Sequence, residues 1–436
     1  MKIFLDTIGC RLNQSEIEKI AAGLRDAGHI VVGDASNADL AIVNTCAVTS
    51  AASADSRKVI RRIANSGCKE IFATGCYATI NPLVVIGLPA VVGLYENDNK
   101  NCIISDLNSK HSTSSLLPKI RKPLPGKKRR TRAFIKVQDG CDNQCTFCIT
   151  RIARGKSHSQ TEDEIFNDIE AALLGGVKEI VLTGVNLGSW GKDLRGGFTL
   201  SELINKILLR YSPHRIRLSS LEPWDIDESY FPIFNHPAFC QHLHLPLQAG
   251  SDQVLRKMGR KMCTDEFQAL VNRIRSRVSE IAITTDIMVG FPGETEKEFE
   301  ESLFFIKEMN FTGGHVFRYS ARPGTVAAKF DHPVPEMEKK IRSRQMRHVI
   351  SESEIEYKKK FIDREVSVLW EKAEKFGNGD FLLSGLTGNY LRVNAVANED
   401  LQNMISNVYI EEIKETHLFG NITLRSLCDL SNNKIF

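Results

Sequence analysis

Three closely spaced cysteines constrain this chain more than any other feature. Cys141, Cys145 and Cys148 stand in a Cys-x-x-x-Cys-x-x-Cys spacing, just after an apolar stretch at 133–137 that reads as a strand. A loop with this spacing wraps its thiols around one point. Three thiolates can hold three corners of a four-iron cube and leave one iron open to an external ligand. A structural zinc site would need a fourth protein ligand. Zinc, or cysteines that merely fall close in sequence, are the alternatives.

The surroundings of the loop suggest where it sits. Strand-like stretches at 133–137, 179–182, 215–219, 242–245, 282–289 and 315–319 alternate with helical ones at 162–174, 200–209, 265–278 and 296–309. Six such repeats predict a partial (β/α)6 barrel over 131–360, closed by a basic helix at 335–361. The cysteine loop then opens at the C-terminal mouth of the barrel, where such folds do their chemistry.

Residues 1–107 repeat a strand, turn and helix pattern. Strands are expected at 2–6, 40–44, 70–73 and near 90–92, with helices at 14–27 and 53–63. That alternation predicts a parallel sheet covered by helices. Cys10, Cys46 and Cys76 each follow one of the first three strands. Residues just past the strand ends of a parallel sheet share one edge, so the three could converge on a second cluster. Buried core cysteines are the alternative. Cys68, Cys102, Cys240, Cys263 and Cys428 have no such context and read as core or incidental.

Residues 361–430 change rhythm. Short alternating strands at 365–369, 381–384, 390–395, 407–414 and 421–425 predict a small five-stranded β-barrel. The expected fold class is therefore α/β: an N-terminal parallel-sheet domain, a central partial barrel and a C-terminal small barrel. A linker at 108–130 joins the first two. It leads into a run of cations comprising Lys119, Arg121, Lys122, Lys127, Lys128, Arg129, Arg130 and Arg132. These, and Lys339, Lys340, Arg342, Arg344 and Arg347 on the closing helix, are candidate phosphate contacts, with a solvated surface as the alternative.

Composition adds exclusions. At 42% hydrophobic and 25% charged residues, the chain has the balance of a soluble globular protein. No apolar run of about 18 residues exists to span a membrane. The apolar part of the N-terminus is too short for a secretory signal, so the expected address is cytoplasmic. Eleven cysteines, an odd number, argue against a disulfide framework. A net charge of +4 does not by itself signal a nucleic-acid partner.

The cysteine motif resembles that of the radical S-adenosylmethionine superfamily. The resemblance implies that Cys141, Cys145 and Cys148 ligate a 4Fe–4S cluster whose open iron takes the amino and carboxylate groups of S-adenosyl-L-methionine. The stretches Thr7-Ile8-Gly9-Cys10-Arg11-Leu12-Asn13-Gln14, Asn44-Thr45-Cys46-Ala47-Val48-Thr49 and Thr74-Gly75-Cys76-Tyr77-Ala78 resemble the methylthiotransferase N-terminal domain. There the matching cysteines hold an auxiliary 4Fe–4S cluster that handles the sulfur to be inserted. The tail resembles a TRAM domain, a small OB-like RNA-binding barrel. Polar or glycine-rich residues at the barrel strand ends resemble family motifs in order, which makes Gly184, Asn186, Ser219, Glu222, Gln248 and Asp286 candidate cofactor or substrate contacts.

Family members act on isopentenyladenosine or threonylcarbamoyladenosine in tRNA, or on an aspartate of a ribosomal protein. Val48-Thr49 after the second cysteine resembles the threonylcarbamoyladenosine subgroup. The expectation is an enzyme that adds a methylthio group at C2 of that nucleoside, beside the anticodon. Its partners would be the tRNA anticodon stem-loop, an electron donor and a sulfur donor, with no membrane and no DNA. A more distant alternative is a non-catalytic RNA-binding protein with structural zinc. Arg151, His158 and the Met262-Cys263 pair depart from the usual family residues, which bears on substrate contacts rather than on cluster ligands.

Overall fold

The computed structural model describes residues 1–108, 124–125, 131–278, 280–377 and 379–425. The basic linker lies outside the described residues except for Asn108, Leu124 and Pro125, and Cys428 lies outside them as well. Among the described residues no helix is long and apolar enough to cross a membrane.

The first sheet is built from β1 (Lys2–Thr7), β2 (Ile30–Val32), β3 (Leu40–Thr45), β4 (Ile71–Gly75) and β5 (Val91–Tyr95), in the order β2-β1-β3-β4-β5 and all parallel. Every residue of β3 is buried, as befits a central strand of a sheet covered on both faces. Helix Arg11–Asp26 packs Leu12, Ile17, Ile20 and Leu24 inward, and helix Ser50–Asn65 begins on the Thr49 side chain, which accepts from the Ala52 N–H. The three-residue β2 is absent from the sequence expectation. It is too short and too exposed to carry a pattern.

The central strands are β6 (Arg132–Lys136), β9 (Glu179–Thr183), β10 (Arg215–Leu218), β11 (His242–His244), β12 (Ala282–Val289) and β13 (Gly313–Arg318), with a small pair β7 (Gln138–Asp139) and β8 (His158–Ser159) beside the cysteine loop. β6, β9 and β10 form one parallel sheet and β11, β12 and β13 another. Parallel bridges Ile216 to Phe239 and Ser220 to His244 join them into a curved six-strand wall in chain order. Thr161, Thr199 and Thr295 start the outer helices with reciprocal capping boxes to Glu164, Glu202 and Glu298.

The wall stays open between β6 and β13, and both edges are covered. At β6, Ser15 on helix Arg11–Asp26 accepts from the Lys136 N–H. At β13 lies helix Glu336–Lys359. Covering an edge in this way removes an unpaired row of backbone groups and brings the N-terminal sheet onto the barrel mouth.

The last strands, β14 (Glu365–Phe376), β15 (Asp380–Thr387), β16 (Arg392–Ala397), β17 (Ile405–Lys414) and β18 (His417–Arg425), close as β14-β15-β16-β18-β17 around Trp370, Leu383, Val393 and Ile410. Tyr390, expected to start a strand, instead sits in the β15–β16 turn at φ +67°.

Several cations expected on a phosphate-binding surface are internal. Arg342 is 4% exposed and pairs with Glu294 at 2.9 Å and Glu296 at 3.0 Å. Lys339 is buried and reaches Glu336 and the Tyr319 carbonyl. Arg132 is bound to Glu371 at 2.7 Å. These three hold the fold together, whereas Lys340, Arg344 and Arg347 remain exposed.

Glu179 locks the small barrel to the large one. It is fully buried and takes the Arg217 guanidinium at 2.7 and 3.2 Å. Arg217 also donates to the carbonyls of Thr387 and Gly388, and Arg215 to Leu386 and Ser367. Burial opposes ionisation of Glu179, but Arg217, with Arg132 and Arg215, brings it from its ordinary 4.5 down to about 2. Replacing Glu179 with Gln leaves these arginines buried without their carboxylate and should lower stability by about 3–5 kcal/mol. The Glu179 contribution is whole above about pH 4.5 and is lost as pH falls toward about 2. Urea unfolding of both proteins should show a gap at pH 7 that narrows as acid is added. A gap independent of pH would mean that the carboxylate charge is not what holds the two barrels together.

Candidate functional site

The N-terminal cysteines occupy one edge for a topological reason. β1, β3 and β4 are neighbours; Cys46 and Cys76 come immediately after β3 and β4, and Cys10 three residues after the end of β1. The turns require close approach. At Gly9, φ is +99° and a Cβ would lie 2.6 Å from the Cys46 Sγ. Gly75 likewise has a positive φ, with no room for a side chain against Asn44 and Thr45.

Polar groups face the sulfurs. The Cys10 thiol points to the Asn13 Oδ1 at 3.7 Å, and the Asn97 Nδ2 to the Cys76 Sγ at 3.7 Å. Cys10 is accessible from the cavity that it lines, and the protein packed around it pushes its thiol up. Burial also raises Cys46, to about 11, the neighbouring Cys10 and Cys76 adding to it.

Cys141, Cys145 and Cys148 lie on the loop after β7. Gly140, at positive φ, passes against the Lys156 carbonyl with no space for a Cβ. Burial raises Cys141 to about 11 and raises Cys145 as well, and the neighbouring cysteines of the loop act in the same direction. Against this, Arg260 approaches the Cys145 Sγ at 3.7 Å and lowers it. Glu222 grips the same Arg260 at 2.7 and 3.2 Å.

Each set offers three thiols, which suits a four-iron cube with one open iron, whereas a structural zinc takes four protein ligands. Each triad opens onto a cavity. One, of about 660 Å³, is lined by Cys141, Cys145, Cys148, Glu222, Gln248 and Arg260. The other, of about 840 Å³, is lined by Cys10, Cys46, Cys76, Gly184, Ser219 and Tyr390. Thr150, Val185, Ser220 and Asp286 line both, so the cavities of the two triads adjoin.

The expected rim residues divide. Gly184, Ser219, Glu222, Gln248 and Asp286 line these walls. Asp286 stands 3.2 Å from His244, and Gln248 is held at φ +83° by pairing with Ile287. The Ser219 Oγ is buried with no partner, a donor left for something else in the cavity. Asn186 lines neither space. Its N–H donates to Gln138 and its Oδ1 is buried without a partner. Of the other cysteines, Cys68 and Cys240 are buried, Cys102 is exposed and Cys263 starts helix Thr264–Arg277.

Sequence reading missed the group that joins the two triads. Arg154, 3% exposed, donates to Glu16 at 2.9 Å, to Asp139 at 2.9 and 3.0 Å and to Asn13 at 2.6 Å. Lys100 completes Glu16 at 2.7 Å, and Lys136 bridges Glu16 and Asp139. Burial opposes every charge here. Arg154, Lys100 and Lys136 nevertheless bring Glu16 well below the usual carboxylate range. Asn13 ties this network to Cys10 and to the Thr45 carbonyl, while Asp139 ties it to Gly140.

Comparison with known proteins gives the family. The Radical SAM superfamily description matches residues 135–306, and the Uncharacterized protein family UPF0004 matches residues 2–92. Threonylcarbamoyladenosine tRNA methylthiotransferase MtaB of Thermotoga maritima is 38% identical, over 90% of this chain and 91% of its own. The MtaB of Bacillus subtilis is 33% identical, over 93% and 92%. A tRNA-2-methylthio-N(6)-dimethylallyladenosine synthase of Clostridium botulinum is 31% identical, over 96% of both chains. In fold alone, the chain is similar to the radical S-adenosylmethionine methyltransferase TsrM of Kitasatospora setae, with TM-score 0.56 and 14% identity over 75% of each chain.

The charge network gives a test of its own. Arg154→Met leaves Glu16 and Asp139 short of a buried partner and should cost about 3–5 kcal/mol of stability. Arg154→Lys should recover little, because one ammonium cannot meet three acceptors in a fixed fork. Denaturant midpoints of the purified proteins check this, and a lysine variant as stable as wild type would refute the fork.

Proposed function

This chain belongs to the radical S-adenosylmethionine methylthiotransferase family, and we propose that it inserts a methylthio group at C2 of N6-threonylcarbamoyladenosine beside the tRNA anticodon. The observation that carries the reading is the region where two adjoining cavities, one lined by each cysteine triad, share Thr150, Val185, Ser220 and Asp286. A base that enters it meets the S-adenosylmethionine side and the sulfur side together. The 38% identity to one enzyme named for threonylcarbamoyladenosine supports that substrate, enzymes named for the dimethylallyl one reaching 33%.

In this reading Cys141, Cys145 and Cys148 hold one 4Fe–4S cluster, and Cys10, Cys46 and Cys76 hold a second. When bound, the clusters and S-adenosylmethionine supply the radical and sulfur-transfer chemistry. The chain's own residues do the placing. Arg260, fixed by Glu222, sets a positive charge beside Cys145 and stabilises its thiolate. Asn13 and Asn97 offer polar contacts to Cys10 and Cys76 on the other side. Gly184 lets the backbone approach a ligand, and the free Ser219 hydroxyl and the Asp286 carboxylate present polar atoms to it. Asn186 acts from behind the wall, through Gln138.

The target base must leave its stack to enter so deep a cavity. Residues 1–107, 131–360 and 361–430 act as sulfur-handling, radical and RNA-binding parts. Exposed Lys340, Arg344 and Arg347 are the remaining phosphate contacts on the closing helix. An electron donor and a sulfur donor complete the reaction, which runs in the cytoplasm where tRNA is used.

The test compares tRNA nucleosides by mass spectrometry in cells lacking this protein and in cells given it back. Methylthio-threonylcarbamoyladenosine should vanish on removal and return with the wild type. It should not return with Cys145→Ala or Cys46→Ala. Loss of methylthio-isopentenyladenosine instead, or of a modified ribosomal aspartate, would overturn the substrate.

A further inference from the structure

The walls of the larger cavity carry four side chains that are permanently cationic or nearly so: Arg11, Arg154, Lys358 and Arg392. Three are neutralised locally. Arg154 has Glu16 and Asp139, Lys358 has Glu354 at 2.7 Å, and Arg392 has Glu371. Arg11 differs. Its Nη2 donates to the Tyr390 phenol oxygen at 2.7 Å, and among the described residues it meets no carboxylate. A guanidinium has five N–H donors, so most of its fork is left for another acceptor.

What surrounds Arg11 makes an anion more welcome still. Tyr390 lies flat on the His242 ring, with centroids 4.2 Å apart and planes 11° apart, and Arg217 covers it at 5.1 Å. Burial alone would raise the Tyr390 phenol, yet Arg11, Arg132 and Arg217 hold it below its ordinary value. His242 is neutral: burial, then Arg217, push it well below its ordinary range, and its Nδ1 is buried without a partner. Tyr390 reaches this place only because the β15–β16 turn holds it at a positive φ, through Thr387 and Leu391. A bulky residue in that conformation is a strained feature that the fold maintains.

Position supplies the remaining step. Arg11 follows Cys10 in the chain and lines the same cavity as Cys10, Cys46 and Cys76. In adenine, C2 and the carbon bearing N6 flank the same ring nitrogen. A substituent on N6 therefore travels alongside C2 when C2 is brought to the sulfur. The threonylcarbamoyl arm ends in a carboxylate, whereas an isopentenyl arm is neutral and apolar.

We propose that Arg11 is a specificity-determining residue that receives the carboxylate of the threonylcarbamoyl arm, with Tyr390 aiming its fork and His242 backing the ring. This rests on the substrate reading above and deepens it. A planar guanidinium matches a carboxylate with two parallel hydrogen bonds.

The experiment uses the cluster-loaded full chain and anticodon stem-loop RNAs that differ only in the N6 arm: threonylcarbamoyl as the acid, the same arm as its neutral carboxamide, and isopentenyl. Both kcat/KM and equilibrium RNA binding are read. Wild type should favour the acid over the carboxamide by about tenfold or more, the usual size for a hydrogen bond to a charged group. Arg11→Gln should erase that preference, mainly by raising KM for the acid. Arg11→Lys, which restores the charge without the fork, should recover part of it. Equal iron content in all three proteins separates recognition from cluster loading.

An Arg11→Gln enzyme that still prefers the acid would overturn the assignment. So would a wild type that acts on both threonylcarbamoyl RNAs equally, a comparison that needs no variant to fold and that leaves the substrate reading intact. A wild type active on the isopentenyl RNA alone would overturn the substrate reading, and the Arg11 assignment with it.

Discussion

The structure depends on one buried guanidinium. Arg154 sits between Glu16 and Asn13 of the first unit and Asp139 of the second, at the back of both cysteine loops. Placing an arginine and two carboxylates out of water costs several kcal/mol per charge and is tolerated only when each group is matched. Here Lys100 and Lys136 complete the matching. The pairing is therefore geometrically demanding, and it fixes the distance and angle between two loops that lie more than a hundred residues apart in the chain. With that distance fixed, the cavities of the two triads can adjoin. Arg322, which donates to the Ala47 carbonyl and Ser53, and Asn97, which donates to the Ala153 carbonyl, add further contacts between the two units.

A second set of buried arginines does the same for the C-terminal barrel. Arg215 and Arg217 leave the strand β10 and end on backbone carbonyls of the small barrel, with Glu179 neutralising them from behind. The consequence is functional as well as structural. The turn that carries Tyr390 is pressed against His242, so a residue of the third unit becomes part of the cavity wall. All three units contribute to one space, whose cation without a carboxylate partner among the described residues is Arg11.

This division explains what the sequence could reveal. The placement of the cysteines was legible because the rules behind it are local: Cys10, Cys46 and Cys76 lie just past parallel strands, and Cys141, Cys145 and Cys148 stand in a tight spacing on one loop. The strand and helix alternation was legible for the same reason, and the outer helices Glu162–Leu174 and Glu296–Met309 lie where periodicity puts them. Arg154, Arg260, Tyr390 and Arg11 carried no local signal. Each is defined by a partner brought near only by the fold, such as Tyr390 for Arg11, 379 residues away. The same limit misdirected the reading of Arg342 and Lys339 as surface cations. Their helix is basic in composition, but Glu294 lies 48 residues upstream of Arg342 and draws it inside. Asn186 looked like a wall residue and stands behind the wall, because Gln138 takes its backbone N–H.

The central claim is that two cysteine triads hold two different clusters around adjoining cavities. Iron analysis and electron paramagnetic resonance of the anaerobically loaded, reduced protein, before and after S-adenosylmethionine is added, test it most directly. The account predicts about eight irons per chain and two signals, of which one alone changes with S-adenosylmethionine. It further predicts that Cys145→Ala keeps about four irons and loses that change. Zinc in place of iron, or about four irons in the wild type with a single signal, would contradict it.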